Sequence, residues 1–330
     1  MKKVQPKVLL TRNFPEVASR LLQTAGIGVS VYQEYYPPSQ EQLIEMAQHY
    51  DSILCAAGDK IDSDFLHACS HLKVISQFAA GYDNIDLQTA SHLGIAIGNT
   101  PGAMSDATAD VAFALMLAVA RNIVHMHKRI RNDLIGPFQP TANLGVELKG
   151  KTLGVFGLGK IGMEMAKRCR GAYDMNVIYH NRSHNAEAEE KLQARKVDFE
   201  TLLRESDVIS VHCALTPETT GVFNQDAFKQ MKSSAIFINT SRGKVHNESD
   251  LIEALRNKVI WGAGLDVTNP EPMHADNPLL QMDHVVVTPH IGSATVDARN
   301  EMARMAAENI IGYYQNNKVP YLVNEGVELK

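Results

Sequence analysis

Three polar residues, Arg242, Glu271 and His290, each follow a short apolar run, and together they form a set suited to reducing a carbonyl. The runs 235–239, 262–266 and 285–288 read as buried strands. The segments after them are Thr240-Ser241-Arg242-Gly243, Thr268-Asn269-Pro270-Glu271-Pro272 and Pro289-His290-Ile291-Gly292-Ser293. An arginine fork holds a carboxylate or a ketone oxygen. A histidine, titrating close to working pH, protonates that oxygen as hydride reaches the carbon. A carboxylate bonded to the other ring nitrogen favours the charged ring and orients it. Singly, these are a turn arginine, a loop glutamate and a core histidine. Their arrival at successive strand ends carries the chemical reading, since ligands of an open parallel sheet bind outside its carboxyl edge.

A hydride needs a carrier, and residues 152–182 supply its site. An apolar strand at 153–156 runs into Gly157-Leu158-Gly159-Lys160-Ile161-Gly162. A helix follows over 163–170, stopped at Gly171, and a second strand at 177–179 closes a βαβ unit. In that context the first glycine allows the tight turn, the second lets backbone approach a pyrophosphate, and the third lets helix and strand pack closely. The helix N-terminus offers its open N–H groups to the phosphates. The alternative is a glycine-rich turn without a ligand.

The second strand ends Tyr179-His180-Asn181-Arg182-Ser183, without the acid that reads a ribose 2′-hydroxyl. Asp174 precedes the strand, at its wrong end. Arg182 suits a 2′-phosphate and Ser183 can donate to it, so NADP(H) is expected in preference to NAD(H).

Elements that position these residues recur along the whole chain. Strands are expected at 7–11, 29–32, 52–55, 73–77 and 95–97, with helices at 15–24, 39–50 and 63–70 between them. This alternation implies a parallel sheet covered by helices. Its first turn, Thr11-Arg12-Asn13-Phe14-Pro15, lacks a glycine fingerprint, so this first unit is expected to hold something other than the cofactor. Ala79-Ala80-Gly81 follows the fourth strand, where backbone N–H groups suit a small anion or form an ordinary turn.

Asn99-Thr100-Pro101-Gly102 reads as a hinge, with Ser105 capping an apolar helix through 121. Residues 122–150 read as charged and irregular, broken by Gly136-Pro137 and Gly145, with His125 and His127 at the surface. Six strands are expected after 152, at 153–156, 177–179, 208–212, 235–239, 262–266 and 285–288. A last helix over 294–315 carries apolar residues at 302, 305, 306, 310 and 313 and is expected to pack back on the first domain.

Composition narrows the function. The 330 residues, 45% hydrophobic and 21% charged, suit two globular domains. A net charge of −5, with no basic run, argues against a nucleic-acid partner. The longest apolar run, 111–120, is about half a membrane span and reads as a buried helix; the N-terminus is too broken for a signal peptide. Cys55, Cys69, Cys169 and Cys213 are scattered and read as reduced thiols of a cytoplasmic protein. His67 and His71 are four apart on a helix but lack a third ligand, so no metal site is expected.

The stretches GLGKIG, INTSRG, GAGLDVTNPEP and TPHIGSAT, with AAGYDNID and NTPGAMSDATADVAFALMLAVAR, strongly resemble the D-2-hydroxyacid dehydrogenase family over nearly the whole chain. Within it the sequence is most similar to NADPH-dependent glyoxylate/hydroxypyruvate reductases, including those that take 2-ketogluconate. The resemblance implies an α/β fold of two doubly wound parallel sheets. One is a Rossmann domain over 103–293, the other a flavodoxin-like substrate domain over 1–102, completed by a C-terminal helix in 294–330. It implies a homodimer formed by the nucleotide domains. It assigns Arg242 to substrate, His290 to acid–base work and Glu271 as its partner. It places the backbone of Ala80 and Gly81 at the substrate carboxylate, although valine is more usual at Ala80. Along the cofactor it adds Thr108, Cys213, Pro217, Thr240, Ser241, Asp266 and Gly292 to the glycine loop and to Asn181, Arg182 and Ser183.

Many relatives have a tryptophan where this chain has Gly136-Pro137-Phe138; its only tryptophan is Trp261. The implied reaction is reduction of small 2-oxo acids to D-2-hydroxy acids. The competing readings are a larger or aromatic 2-oxo acid, oxidation of formate or phosphite, and a nucleotide-sensing, corepressor-like binder without turnover. A phosphoglycerate dehydrogenase with regulatory modules is disfavoured, because the chain stops soon after its last helix.

Overall fold

The structure, a computed structural model, describes residues 5–330. It divides into two compact units, one comprising the chain through Met104 with Ala294–Lys330, the other Ser105–Ser293.

The first unit holds strands β1 (Lys7–Leu10), β2 (Gly28–Val31), β3 (Ser52–Cys55), β4 (Val74–Gln77) and β5 (Ala96–Gly98) in the all-parallel order β2-β1-β3-β4-β5. Helices α1 (Glu16–Thr24), α2 (Gln40–Ala47), α3 (Ser63–Ala68) and α4 (Leu87–His92) connect them. β3, β4 and β5 are buried throughout, which is why they read as short continuous apolar runs. Side chains alternate between two cores. Val8, Leu10 and Val74 meet Ala18 and Leu22 of α1, while Leu9, Ile53 and Ile75 meet Leu43, Phe65 and Ala90.

The last helix belongs to this unit, and its apolar stripe faces the first core through Ala303, Ala306, Ile310 and Tyr313. Polar pins fix its register: Ser76 Oγ donates to the Ala306 carbonyl at 2.9 Å, and Ser52 Oγ meets Tyr314 Oη at 2.6 Å.

In the second unit, α5 (Ser105–Ala120) and α6 (Ile123–Arg131) precede the sheet. Its strands are β6 (Thr152–Phe156), β7 (Asn176–His180), β8 (Arg195–Lys196), β9 (Val208–Val211), β10 (Ile236–Asn239), β11 (Gly262–Leu265) and β12 (Val285–Val287). They run parallel in the order β12-β11-β10-β9-β6-β7-β8, reversing direction of travel between β6 and β9. Connecting helices are α7 (Lys160–Tyr173), α8 (Ala186–Leu192), α9 (Phe199–Glu205), α10 (Gln225–Gln230) and α11 (Glu248–Arg256). Helices α5 and α7 cover one face, and Leu202, Phe228 and Leu251 pack on the other. The final helix of the chain, in the first unit, is α12 (Val296–Asn316).

Several sequence expectations need correction. Residues 122–150 are not irregular throughout, since α6 occupies Ile123–Arg131; its charged face hid a short amphipathic pattern. His125 on that helix is partly buried and lies 3.1 Å from Asp283 Oδ1, rather than being a free surface residue. Gly171 does not stop α7; the helix runs to Tyr173 and ends on Asp174 in the left-handed region, at φ 51°. Ser105 lies in the first turn of its helix instead of before it. The two-residue strand β8 adds a seventh strand to the expected six. Among the described residues no single helix is long and apolar enough to cross a membrane.

Candidate active site

The glycine loop sits at the switch point of the second unit's sheet, where the rule for open α/β sheets puts a ligand. Gly157 has φ +95°, and a Cβ there would fall 2.5 Å from the Cys213 nitrogen, so only glycine makes this turn. Gly159 faces open space, and a Cβ on Gly162 would fall 2.8 Å from the Gly157 carbonyl oxygen. Gly157 and Gly162 thus meet the steric demands of the fingerprint, and Gly159 leaves the approach to the loop open. Gly159 also brings no side chain to cap α7, which leaves first-turn N–H groups, beginning with Lys160 and Ile161, open to an anion.

A cavity of about 700 Å³ opens beside this loop, lined by Leu158, Gly159, Asn181, Arg182, Ser183, His212 and Cys213, with Glu218 on its rim. Asn181 lines it but is occupied: its Oδ1 accepts from Leu158 N at 2.6 Å, and its Nδ2 donates to Leu158 O at 3.2 Å. Asn185 donates to the same carbonyl at 3.0 Å. These amides brace the loop, while Arg182 and Ser183 stand exposed at the mouth. Pro217 is exposed between Thr216 and Glu218 of the lining.

His212, which sequence reasoning passed over, sits in the wall with Ser210 Oγ 2.8 Å from Nε2 and Thr240 Oγ1 3.3 Å from Nδ1. Burial pushes it down to about 3, so it is a neutral hydrogen-bonding ring at physiological pH. Its position one residue past β9 was the signal available.

The ends of β10, β11 and β12 bring the three polar residues to the same unit. Asn239, last in β10, organises the arginine turn: its Oδ1 accepts from Ser241 N and Ser241 Oγ, both at 2.9 Å, and its Nδ2 donates to Arg242 O at 2.9 Å. Gly243 lets this turn lie against the next loop, since a Cβ there would be 2.0 Å from the Thr268 carbonyl oxygen.

His290 stands at φ +54°, uncommon for a non-glycine residue, and its Nδ1 lies 2.5 Å from Glu271 Oε1. Burial pushes the Glu271 carboxyl up, but the His290 hydrogen bond and charge, the Thr268 N–H and the Arg242 charge outweigh it and hold the carboxyl below its ordinary value. Because Nδ1 is taken by the carboxylate, Nε2 is the nitrogen left for chemistry.

Asp266 does something the sequence did not suggest. Its buried carboxylate accepts from Thr288 Oγ1 at 2.6 Å, Ile291 N at 2.8 Å and Gly292 N at 2.8 Å. It shapes the His290 segment through these three bonds. Gly292 in turn lies close to Thr108, whose Cγ2 would be 3.1 Å from a Cβ.

In the first unit, Ala79–Gly81 leaves β4, with the Ala80 carbonyl held by Asn99 Nδ2 at 2.8 Å and the Gly81 carbonyl by Gln77 Nε2 at 3.3 Å. The N–H groups of Ala80 and Gly81 have no partner among the described residues. His67 Nδ1 and His71 Nε2 each meet a backbone carbonyl, of Ser63 and Ala47.

A parallel sheet with an uncapped glycine loop at its switch point, and a His–Glu pair on the same sheet's edge, defines a nucleotide-dependent oxidoreductase. Residues 113–292 match the NAD binding domain of D-isomer specific 2-hydroxyacid dehydrogenases, and the chain belongs to that family. It is 43% identical over 329 residues to a glyoxylate reductase of Thermococcus litoralis, with 98% of each chain covered. A glyoxylate reductase structure from Paecilomyes thermophila superposes with TM-score 0.86 at 31% identity, covering 97% of this chain and 99% of that one. An NADPH-dependent glyoxylate/hydroxypyruvate reductase from Sinorhizobium meliloti, in complex with NADP and malonate, gives 0.85 at 25%, covering 99% of each.

Proposed function

We propose that this protein reduces glyoxylate, hydroxypyruvate and related 2-oxo acids to 2-hydroxy acids, of D configuration where the new centre is chiral, using NADPH. The Glu271–His290 contact at 2.5 Å carries the reading, because it prepares one ring nitrogen for proton transfer. Names borne by the relatives support glyoxylate as a substrate.

The glycine loop and the first turn of α7 would hold the pyrophosphate, and Arg182 with Ser183 the adenosine 2′-phosphate. Once bound, the reduced nicotinamide supplies the hydride that reaches C2. Arg242 polarises the carbonyl through its guanidinium. His290 gives its Nε2 proton to the carbonyl oxygen, and Glu271 steadies the imidazolium beforehand and keeps the ring oriented afterwards. The substrate carboxylate is assigned to the N–H groups of Ala80 and Gly81.

A homodimer is part of the proposal. Ile123, Ile130, Leu134, Phe138 and Leu144 are 54%, 66%, 59%, 89% and 63% exposed along one stretch of the nucleotide unit, an apolar surface that suits a second copy.

His290→Asn tests the chemistry. Asparagine tolerates the left-handed backbone of this position, so the loop should survive. Turnover of glyoxylate should fall roughly 100-fold or more while NADPH binding, followed by cofactor fluorescence, persists. Retention of turnover to within about tenfold would remove His290 from the mechanism.

A further inference from the structure

The first unit has a switch point of its own, and it carries a cation that the reaction above does not use. In the order β2-β1-β3-β4-β5, strand direction of travel reverses between β1 and β3, so a ligand crevice opens beyond their carboxyl ends. Thr11 and Arg12 follow β1 there, and Ala56 to Asp59 follow β3.

The Asp59 side chain is 1% exposed. It accepts from Thr11 Oγ1 at 2.6 Å, Ala56 N at 2.8 Å and Arg12 Nη2 at 2.8 Å. A buried carboxylate is costly unless its charge is answered, so this one is a fixed anchor for the guanidinium. Only Nη2 is engaged. The rest of the Arg12 fork has no partner among the described residues, and the side chain is 27% exposed.

The anchor continues toward β4. Asn84 Nδ2 donates to the Asp59 carbonyl at 2.8 Å, and Asn84 Oδ1 accepts at 2.8 Å from Gln77 Nε2, which also holds the Gly81 carbonyl. Arg12 and the Ala79–Gly81 turn therefore belong to one hydrogen-bonded frame.

We propose that Arg12 binds an oxygen-bearing tail of longer 2-oxo acids whose own carboxylate rests on Ala80 and Gly81. This makes Arg12 a specificity-determining residue, and the inference rests on the function proposed above. β1 and β4 are two strand spacings apart, roughly 10 Å. Glyoxylate has only its carbonyl carbon beyond the carboxylate and cannot reach a second strand end, whereas 2-oxo acids of about four to six carbons carry a tail that can. A second carboxylate would pair with the fork through two bonds, hydroxyls through one each, and an apolar tail through none.

The test compares glyoxylate, 2-oxoglutarate, 2-ketogluconate and 2-oxohexanoate as substrates of wild type, Arg12→Gln, and the double variant Arg12→Leu with Asp59→Asn. The double variant avoids leaving a buried carboxylate unpaired. The readout is kcat/KM for each longer acid divided by that for glyoxylate. Wild type should favour an oxygen-bearing tail over 2-oxohexanoate by roughly tenfold or more, and both variants should lose that preference through KM. A carboxylate site loses most with 2-oxoglutarate, a hydroxyl site most with 2-ketogluconate. Wild type that treats all longer acids alike overturns the proposal, whether or not the variants fold. So do variants whose ratios stay within about twofold of wild type, which would leave Arg12 as a loop brace. Failure of wild type to reduce glyoxylate at all would instead strike the proposed function.

Discussion

Asp266 holds His290 from behind. The Asp266 carbonyl accepts the His290 N–H at 2.9 Å, while the Asp266 carboxylate takes the next two N–H groups of the chain, at Ile291 and Gly292. The imidazole is thus aimed by a buried anion that itself need not touch substrate. Asp266→Asn turns one acceptor into a donor facing an N–H, at a cost of about 1–3 kcal/mol. Glyoxylate turnover is expected to fall by roughly tenfold or more. Steady-state kinetics beside a thermal melt separate this from simple unfolding. Unchanged kcat in a folded protein would show that the segment holds its shape without the carboxylate.

Cofactor choice depends on Arg182. Its removal as Arg182→Ala should lower kcat/KM for NADPH by roughly tenfold to a hundredfold, the worth of one charge-assisted contact, and lower that for NADH much less. Glu218 lies on the same rim, its carboxyl held low by Thr216 and its own backbone and then by the Arg182 charge. Wild type with a higher kcat/KM for NADH would refute the assignment.

The apolar stretch beginning at α6 makes a statement about mass. Light scattering of the 36.4 kDa chain should report twice that value, and Ile130→Glu, placing a charge where the side chain is 66% exposed, should shift it toward the single-chain mass. A wild-type protein that runs as a single chain would refute the dimer.

His246 makes a prediction about acid. It is buried, its Nδ1 lies 3.0 Å from Asn239 Nδ2, and its Nε2 has no partner among the described residues. Because an amide nitrogen only donates, Nδ1 accepts and the ring proton is on Nε2. Burial pushes the ring down to about 4. The unfolded chain binds this proton near the ordinary histidine value and the folded chain resists it. Stability is therefore intact above about pH 6.5 and drains as pH falls toward 4. Between pH 7 and 5 the wild type should lose on the order of 2 kcal/mol more than His246→Leu in urea unfolding. Equal losses would mean that the ring is protonated without penalty.

Much of this was legible in the sequence because burial on both faces of a parallel sheet leaves a simple trace. Val208–Val211 and Ile236–Asn239 are fully buried, so their apolar runs showed both strand and extent. The Arg195–Lys196 strand is polar and two residues long and leaves no such trace. The glycine fingerprint was readable because its demands are steric and local. The tasks of Asn181 and Asp266 were not, since each depends on a partner loop more than twenty residues away. An exposed amide and a bracing amide look alike in one dimension. His212 and Asn239 were missed for the same reason: their value lies in what they hold.

Helix α12 carries a consequence for the order in which the molecule can be made. Together with α1 it supplies the apolar cover for one face of the five-stranded sheet, through Ala303, Ala306, Ile310 and Tyr313. A ribosome reaches those residues only after the entire nucleotide unit has been synthesised. The nascent N-terminal sheet therefore waits, half roofed, while a later module completes itself, and it needs protection from sticking to other chains during that interval. Closure of the five-stranded sheet therefore waits on residues translated after the nucleotide unit.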